Sequence, residues 1–218
     1  MYTTLAVRDA IDAMIAKKGS STTFKNARYY QEGGRLGSTL YIYGTDDGKD
    51  AVNDLDGRSN RSIPGLSFAD GAVDYASLIE RAVDMTRVDL MVTHSLGAAA
   101  GCVLSVKWGI PCLALAPYRL VHGSDCEDYH RHKQGFYPSF GLIKQLIVTG
   151  DLWPTLPWWN ERMPWWCAET YKRRAPWRTY LTPWRLHHLR TYQDTFKDLC
   201  VQWEHRTAPG DRSHEQPH

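Results

Sequence analysis

Residues Val88–Ala99 read VDLMVTHSLGAA, and this stretch decides the fold. An apolar run suited to a buried strand ends at Ser95, and a helix of small residues begins immediately after it. This order is typical of the tight elbow that lifts a serine to the carboxyl end of a sheet. Such a serine can attack a carbonyl group, while the first N–H groups of the helix face the oxyanion that forms.

The elbow departs from the usual pattern two residues before the serine, where Thr93 stands in place of glycine. Gly97, two residues after the serine, follows the pattern. Small residues are favoured on both sides because the serine backbone is strained. The stretch therefore predicts a serine nucleophile, and the alternative is an incidental serine in a strand-to-helix turn.

The composition is that of a globular protein rather than a membrane-spanning or nucleic-acid-binding one. The 218 residues suffice for one domain with a sizeable core, and 43% are hydrophobic and 23% charged. The net charge is +2 without a block of like charges, so we expect no nucleic-acid partner. No run reaches the about 20 apolar residues of a transmembrane segment. Five cysteines without a CxxC pair indicate neither a disulfide framework nor a zinc site.

The chain is predicted to form a single domain over residues 1–206, followed by a disordered polar tail at 207–218. Residues 1–18 have the pattern of an amphipathic helix instead of a signal peptide, which favours a cytoplasmic location. Seven of the nine tryptophans lie between Trp153 and Trp184, in a predicted Trp-rich insertion at about 152–184.

Hydrophobic patterning predicts an α/β fold. Strands are expected at 39–43, 88–92, 110–116 and 142–148, with a short one at 27–30 inside a loop over 19–38. Helices are expected at 69–87, 96–108 and 185–203, with a short one through Val52 and Leu55. The alternation predicts a mostly parallel central sheet with helices on both faces. Functional side chains in such sheets lie at the carboxyl ends of the strands.

A catalytic serine requires an imidazole base, a carboxylate and oxyanion donors. Asp151 follows a predicted strand and can supply the carboxylate. His187 and His188 are both open as the base, whereas His94 is expected to pack beneath the elbow. The backbone N–H of Leu96 and the N–H and hydroxyl of Thr45 are the expected oxyanion donors. This chemistry needs no metal and no cofactor.

Five segments together resemble the class 3, fungal-type lipases. Residues 40–55, LYIYGTDDGKDAVNDL, resemble the F-R-G-T and D-W-x-x-D-L segment, and 93–99, THSLGAA, resemble the G-H-S-L-G-G-A elbow. Residues 116–119, APYR, resemble an S-P-R turn, and 150–157, GDLWPTLP, resemble the D-x-V-P-x-x-P motif. Residues 187–192, HHLRTY, are similar to a terminal histidine followed by tyrosine five residues later.

The resemblance implies an α/β-hydrolase-like fold and hydrolysis of carboxylic esters, often acylglycerols. It implies Ser95 as nucleophile, Asp151 as acid and His187 as base, with Thr45 and Leu96 forming the oxyanion hole. Tyrosine five residues after the histidine favours His187 over His188. Tyr43 and Ala51 differ from the residues of the family pattern.

Three interpretations of the Trp-rich segment are open. Trp153 and Trp158 are predicted to bind substrate beside Asp151. The segment can instead contact a lipid surface, because tryptophan rings suit the interface and nearby arginines suit anionic headgroups. The third interpretation is an aromatic cluster that only packs over a long loop.

The leading prediction is a serine esterase or lipase-like hydrolase acting on a small-molecule or lipid ester. The alternative is a weak or inactive binding protein that uses the Trp-rich face for lipid, carbohydrate or protein. An acyltransferase would use the same residues as the hydrolase.

Overall fold

The structure, a computed structural model, describes residues 2–25, 27–34, 37–44, 68–117, 141–155 and 168–204. The strands in these ranges are β1 (Tyr2–Ala6), β2 (Thr22–Phe24), β3 (Ala27–Gly34), β4 (Gly37–Tyr43), β5 (Val88–His94), β6 (Cys112–Leu115), β7 (Ile143–Thr149), β8 (Ala168–Arg174) and β9 (Cys200–Glu204). The helices are α1 (Val7–Lys17), α2 (Phe68–Ala82), α3 (Leu96–Trp108) and α4 (Leu189–Thr195). Short 3-10 helices span Lys18–Ser20, Met85–Arg87, Trp153–Thr155, Trp177–Leu181 and Pro183–His187.

A seven-stranded sheet in the order β2-β3-β4-β5-β6-β7-β8 forms the centre of the fold. The strands from β4 to β8 pair in parallel, and β2, β3 and β4 pair antiparallel. The predicted mostly parallel sheet is therefore confirmed. Its carboxyl edge follows β4, β5, β6 and β7, and this edge carries the residues described below.

Helices cover both faces of the sheet, as the sequence predicts. The helices α2 and α3 pack on the face that buries Leu40, Met91 and Ala114. The helices α1 and α4 pack on the opposite face, which buries Val92 and Leu146. Burial on both faces explains why the central strands are nearly continuous apolar runs. Across the described ranges, no helix is both long enough and apolar enough to cross a membrane.

The helix α3 begins and ends at the predicted residues. Its first turns are made of small residues, and Ala98, Ala99 and Ala100 are all fully buried. The helix therefore packs closely on the sheet and carries the serine elbow at its amino end. It ends at Gly109, whose φ of 69° is the left-handed conformation that favours glycine after a helix.

The predictions for the two ends of the chain are wrong in part. Residues 2–6 form a strand before the helix, and the predicted helix over 185–203 breaks into a 3-10 helix, α4 and β9. The strands β1 and β9 pair antiparallel with each other, Tyr2 opposite Glu204. Their partners lie at opposite ends of the sequence, so local periodicity does not reveal the pairing.

Two further corrections concern the edges of the sheet. The predicted loop over 19–38 contains β2, β3 and the start of β4, and the short strand expected at 27–30 continues to Gly34. The strand β8 was not predicted, because its charged sequence AETYKRR suits an exposed edge rather than a core.

The helix predicted over 69–87 ends at Ala82. The predicted short helix through Val52 and Leu55 and the predicted tail at 207–218 lie outside the described residues.

Candidate active site

Ser95 joins β5 to α3 in a strained turn. Its φ of 59° and ψ of −127° are unusual for a residue with a side chain. The backbone is held from both sides, because Ser95 N donates to the carbonyl of Leu115 at 3.0 Å and Ala98 N donates to the Ser95 carbonyl at 2.9 Å. A strained residue of this kind persists only where its surroundings enforce it, and such residues cluster at active sites.

Two glycines provide the space that the elbow needs. A Cβ on Gly44 would lie 2.5 Å from the Ser95 Cβ, and a Cβ on Gly97 would lie 2.7 Å from the Ile42 carbonyl oxygen. Both distances are too short for a real side chain. The end of β4 therefore lies directly against the elbow.

His187 contacts the serine directly. It ends the 3-10 helix Pro183–His187, and its Nε2 lies 2.8 Å from the Ser95 Oγ. His188, the alternative base, is exposed and directly precedes α4. Of the two histidines that the residue types alone left open, His187 is the one in contact with Ser95.

Asp151 completes a hydrogen-bonded chain from the serine. It follows Gly150 in the turn after β7, and its Oδ2 lies 3.0 Å from the His187 Nδ1. The same oxygen accepts a hydrogen bond from the Tyr192 hydroxyl at 2.8 Å. The turn is fixed by the Asp151 N–H, which donates to the Val148 carbonyl at 3.1 Å. Three residues distant in sequence thus meet at one edge of the sheet.

The hydrogen-bond partners define the protonation of the His187 ring. A carboxylate only accepts, so the Nδ1 of His187 carries the proton that it donates to Asp151. The Nε2 is then the acceptor of the Ser95 hydroxyl proton. Ser95 is 2% exposed and Asp151 is 3% exposed. This burial lowers the local dielectric constant and strengthens both hydrogen bonds.

The amino end of α3 supplies one of the two expected oxyanion donors. Leu96 is the first residue of the helix, so its N–H has no acceptor within the helix. The position is suited to an anion because the dipole of the helix is positive at this end. Thr45, the second expected donor, lies outside the described residues; Gly44, which precedes it, packs against Ser95.

A cavity of about 380 Å³ lies beside Asp151 and His187. Its described lining combines polar groups with apolar and aromatic side chains: Gly150, Asp151, Leu152, Tyr180, Trp184, Leu186 and His187. The backbone of Trp153 begins a short 3-10 helix. Its side chain and all of Trp158 lie outside the part of the chain that the structure describes. Among the described residues, Tyr180 and Trp184 place aromatic rings at the cavity beside His187, and the role of Trp153 and Trp158 stays a prediction.

His94, the residue preceding Ser95, makes one contact that the sequence does not predict. The expectation for His94 was packing beneath the elbow, yet its Nε2 lies 2.9 Å from the His187 carbonyl oxygen. Desolvation by burial lowers the pKa of His94 well below its ordinary value. Adjacency to Ser95 gives no signal for this contact, because neighbouring side chains of a strand point to opposite faces.

Thr93, the departure from the elbow pattern, is accommodated by the helix that follows. The side chain is fully buried, and its hydroxyl donates to the Leu113 carbonyl at 3.3 Å. A Cβ on Gly101 would lie only 2.6 Å from the Thr93 Cγ2. The bulk added before the serine is therefore matched by a missing side chain on α3.

A comparison with models of known protein families found no match, and a search of curated protein sequences found no significant relative.

Proposed function

We propose that this protein is a serine hydrolase of carboxylic esters that works through an acyl-enzyme intermediate. The observation that carries the proposal is the continuous hydrogen-bonded chain from Ser95 Oγ through His187 to Asp151. Nucleophile, base and orienting acid occur here in mutual hydrogen-bond reach, on a strained elbow. An α/β-hydrolase-like fold is part of the proposal, supported by the parallel strands and the elbow between β5 and α3.

In the first half of the reaction, Ser95 Oγ attacks the ester carbonyl carbon and its proton passes to the His187 Nε2. The oxyanion of the tetrahedral intermediate accepts from the Leu96 N–H and, in the proposal, from Thr45. Collapse of the intermediate breaks the bond to the alcohol oxygen, which takes the proton from His187. Asp151 stabilises the imidazolium that exists between these two transfers.

In the second half, His187 removes a proton from water, and the resulting hydroxide attacks the acyl-enzyme carbonyl. The second tetrahedral intermediate releases the carboxylic acid, and the proton on Nε2 returns to Ser95 Oγ. The enzyme is regenerated with the same tautomer of His187. If an alcohol replaces water in this half, the same residues perform acyl transfer.

The substrate class follows from the surroundings of the triad. The cavity beside His187 is lined by the apolar or aromatic side chains of Leu152, Tyr180, Trp184 and Leu186. These residues suit an apolar part of an ester more than a charged one. The resemblance to class 3 lipases supports the same choice.

The direct test is the hydrolysis of p-nitrophenyl esters of increasing acyl length by wild type and Ser95→Ala. We expect turnover by wild type that falls by about 10⁴-fold or more in Ser95→Ala, since the nucleophile is lost. Ser38→Ala is the matched control, because Ser38 lies on the same sheet at the start of β4, on the amino side. Equal turnover in wild type and Ser95→Ala would contradict the proposal.

A second part of the proposal is that the site faces a lipid surface. Four large apolar side chains, on the cavity lining or on the 3-10 helix that carries Tyr180, are highly exposed: Leu152 at 71%, Trp177 at 69%, Leu181 at 70% and Trp184 at 69%. From Thr170 to Gln193 the sequence has no acidic residue and carries six cations: Lys172, Arg173, Arg174, Arg178, Arg185 and Arg190. Exposed aromatic rings among cations suit an anionic lipid surface.

Vesicle sedimentation tests this part. We expect the protein to bind phosphatidylglycerol vesicles more strongly than phosphatidylcholine vesicles, and the double variant Trp177→Ala/Trp184→Ala to lose most of the binding. Trp108→Ala is the control, because this partly exposed tryptophan ends α3 on another part of the surface. Binding equal in both vesicle types and unchanged in the double variant would exclude the surface contact. Vesicle binding without ester turnover would favour the non-catalytic binding protein.

A further inference from the structure

His94 lies between the strand that carries the nucleophile and the segment that carries the base. It is the last residue of β5, directly before Ser95. Side chains alternate along a strand, so His94 shares a face with Val92, on the side covered by α1 and α4. The segment with His187 lies over the same side, and the rings of His94 and His187 are 4.9 Å apart between centroids.

The contact between the two histidines joins a ring to a backbone. The His94 Nε2 lies 2.9 Å from the His187 carbonyl oxygen. A carbonyl oxygen only accepts, so His94 carries its proton on Nε2 and donates it. Burial keeps this ring neutral by lowering its pKa, and the charges of His187, Lys18 and His188 act in the same direction. Tyr192 borders the ring edge-on at 6.2 Å.

Two groups therefore hold His187 at different points. Asp151 holds the ring through Nδ1, and His94 holds the backbone through the carbonyl oxygen. The ring can rotate about its side-chain bonds, so the carboxylate alone fixes its orientation but not the place from which it extends. A contact to the backbone fixes that origin. This backbone contact comes from His94, the residue that is covalently joined to Ser95.

We propose that His94 is a positioning residue, which uses its hydrogen bond to the His187 carbonyl to keep the base in register with the nucleophile. The inference rests on the proposed function and adds to it a residue outside the triad and the oxyanion hole. The link runs from β5 to the base without passing through Asp151. Loss of the donor should therefore slow proton transfer between Ser95 and His187 while leaving the substrate cavity unchanged.

The test compares a donor-free ring with a side chain that retains a donor. His94→Phe fills the space without an N–H, and His94→Gln places an amide N–H at a similar reach. His188→Phe is the matched control, because it makes the same change at the exposed neighbour of the base. The measurements are kcat and KM for a short p-nitrophenyl ester, the second-order rate of fluorophosphonate labelling at Ser95, and thermal unfolding.

We expect His94→Phe to lower kcat and the labelling rate by roughly 10- to 100-fold, the scale of a small misplacement of catalytic groups. KM should change by less than about twofold, because the cavity is not altered. His94→Gln should recover most of the lost rate, and His188→Phe should remain near wild type. A recovery by glutamine separates donation of a hydrogen bond from simple filling of space.

Two results would overturn the inference while leaving the proposed function in place. One is a folded His94→Phe variant with wild-type kcat and labelling rate; the other is a His94→Gln variant as slow as His94→Phe. If His94→Phe does not fold, His94→Leu replaces it, and failure of both to fold assigns the residue to stability instead of positioning. Absence of labelling in wild type would overturn the proposed function itself, before any variant is compared.

Discussion

Thr93 and Gly101 act as a pair at the scale of single residues. The threonine adds two heavy atoms beyond the Cβ two residues before Ser95, and Gly101 leaves the space that the Cγ2 occupies. The threonine hydroxyl is also partnered, through the Leu113 carbonyl. The departure from glycine at this position is thus compatible with a strained serine, because the compensation comes from a different element.

This pairing predicts non-additive effects on stability. Gly101→Ala should lower the free energy of unfolding by about 1–3 kcal/mol, because the added methyl group overlaps the Thr93 side chain. Thr93→Ala in the same chain removes the overlapping atoms and should recover a large part of that loss. Urea unfolding of the two single variants and the double variant measures the coupling. Purely additive losses would contradict the pairing.

Tyr192 is the second residue whose role can be tested alone. Its hydroxyl donates to Asp151, so Tyr192→Phe leaves the carboxylate less firmly held against the His187 ring. We expect kcat to fall about tenfold with KM nearly unchanged, since a hydrogen bond to a charged group contributes about 1.5–3 kcal/mol. Steady-state kinetics measure the effect. Tyr171→Phe on β8, which removes a hydroxyl bonded to Glu169, is the control, and an equal loss there would contradict the assignment.

At the scale of elements, the sequence predicts best where local pattern and burial coincide. The helix α3 was predicted with its correct ends, and the four central strands were placed within a few residues, because each is a nearly continuous apolar run beside turn-forming residues. The strands β1 and β9 were missed, since each is stable only through the other. The strand β8 was missed because charged residues are normal on an edge.

The strand β9 contributes to stability through a buried tryptophan. Trp203 is 4% exposed, and its Nε1 donates to the Leu142 carbonyl at 2.9 Å. Trp203→Ala should lower the free energy of unfolding by about 3–5 kcal/mol. Trp177→Ala should change it by less than about 0.5 kcal/mol, because that ring is exposed. Chemical denaturation tests both, and equal losses would contradict the assigned packing of β9.

The sequence predicts the residues of the site whose positions are set by the topology of the sheet. Ser95 and Asp151 follow predicted parallel strands, and the carboxyl ends of such strands share one edge. The choice between His187 and His188 depends on the exact end of a 3-10 helix, which residue types do not determine. The link from His94 to the base depends on side-chain direction across two distant segments. For that reason the spacing of the motifs alone could not reveal it.

For the whole molecule, two histidines make stability depend on pH. Burial lowers the pKa of His94 and of His188 below the ordinary value of 6.5. The unfolded chain therefore binds more protons than the folded one below about pH 6.5. The contribution of these two histidines to the free energy of unfolding should be fully present above that pH and should decrease as the pH falls. The carboxyl groups with a lowered pKa, Asp84, Glu169 and Asp198, titrate in a more acidic range.

Thermal unfolding between pH 5.5 and 8 measures this dependence. The unfolding temperature should fall towards the acidic end in wild type, and the slope should be smaller in His94→Gln, which has no proton to gain at that position. The slope is the quantity to compare, because the substitution also changes overall stability. An unchanged slope in His94→Gln would contradict the neutral state of the His94 ring in the folded protein.

The most direct test of the central claim is the site of covalent labelling by a fluorophosphonate in the folded protein. Peptide mapping should find one equivalent of phosphonate on Ser95, with no reaction after denaturation or in His187→Ala under the same conditions. That result is predicted because only a serine activated by an aligned imidazole attacks the reagent at a useful rate. A folded wild-type protein without an adduct on Ser95, or with its adduct on another residue, would contradict the account.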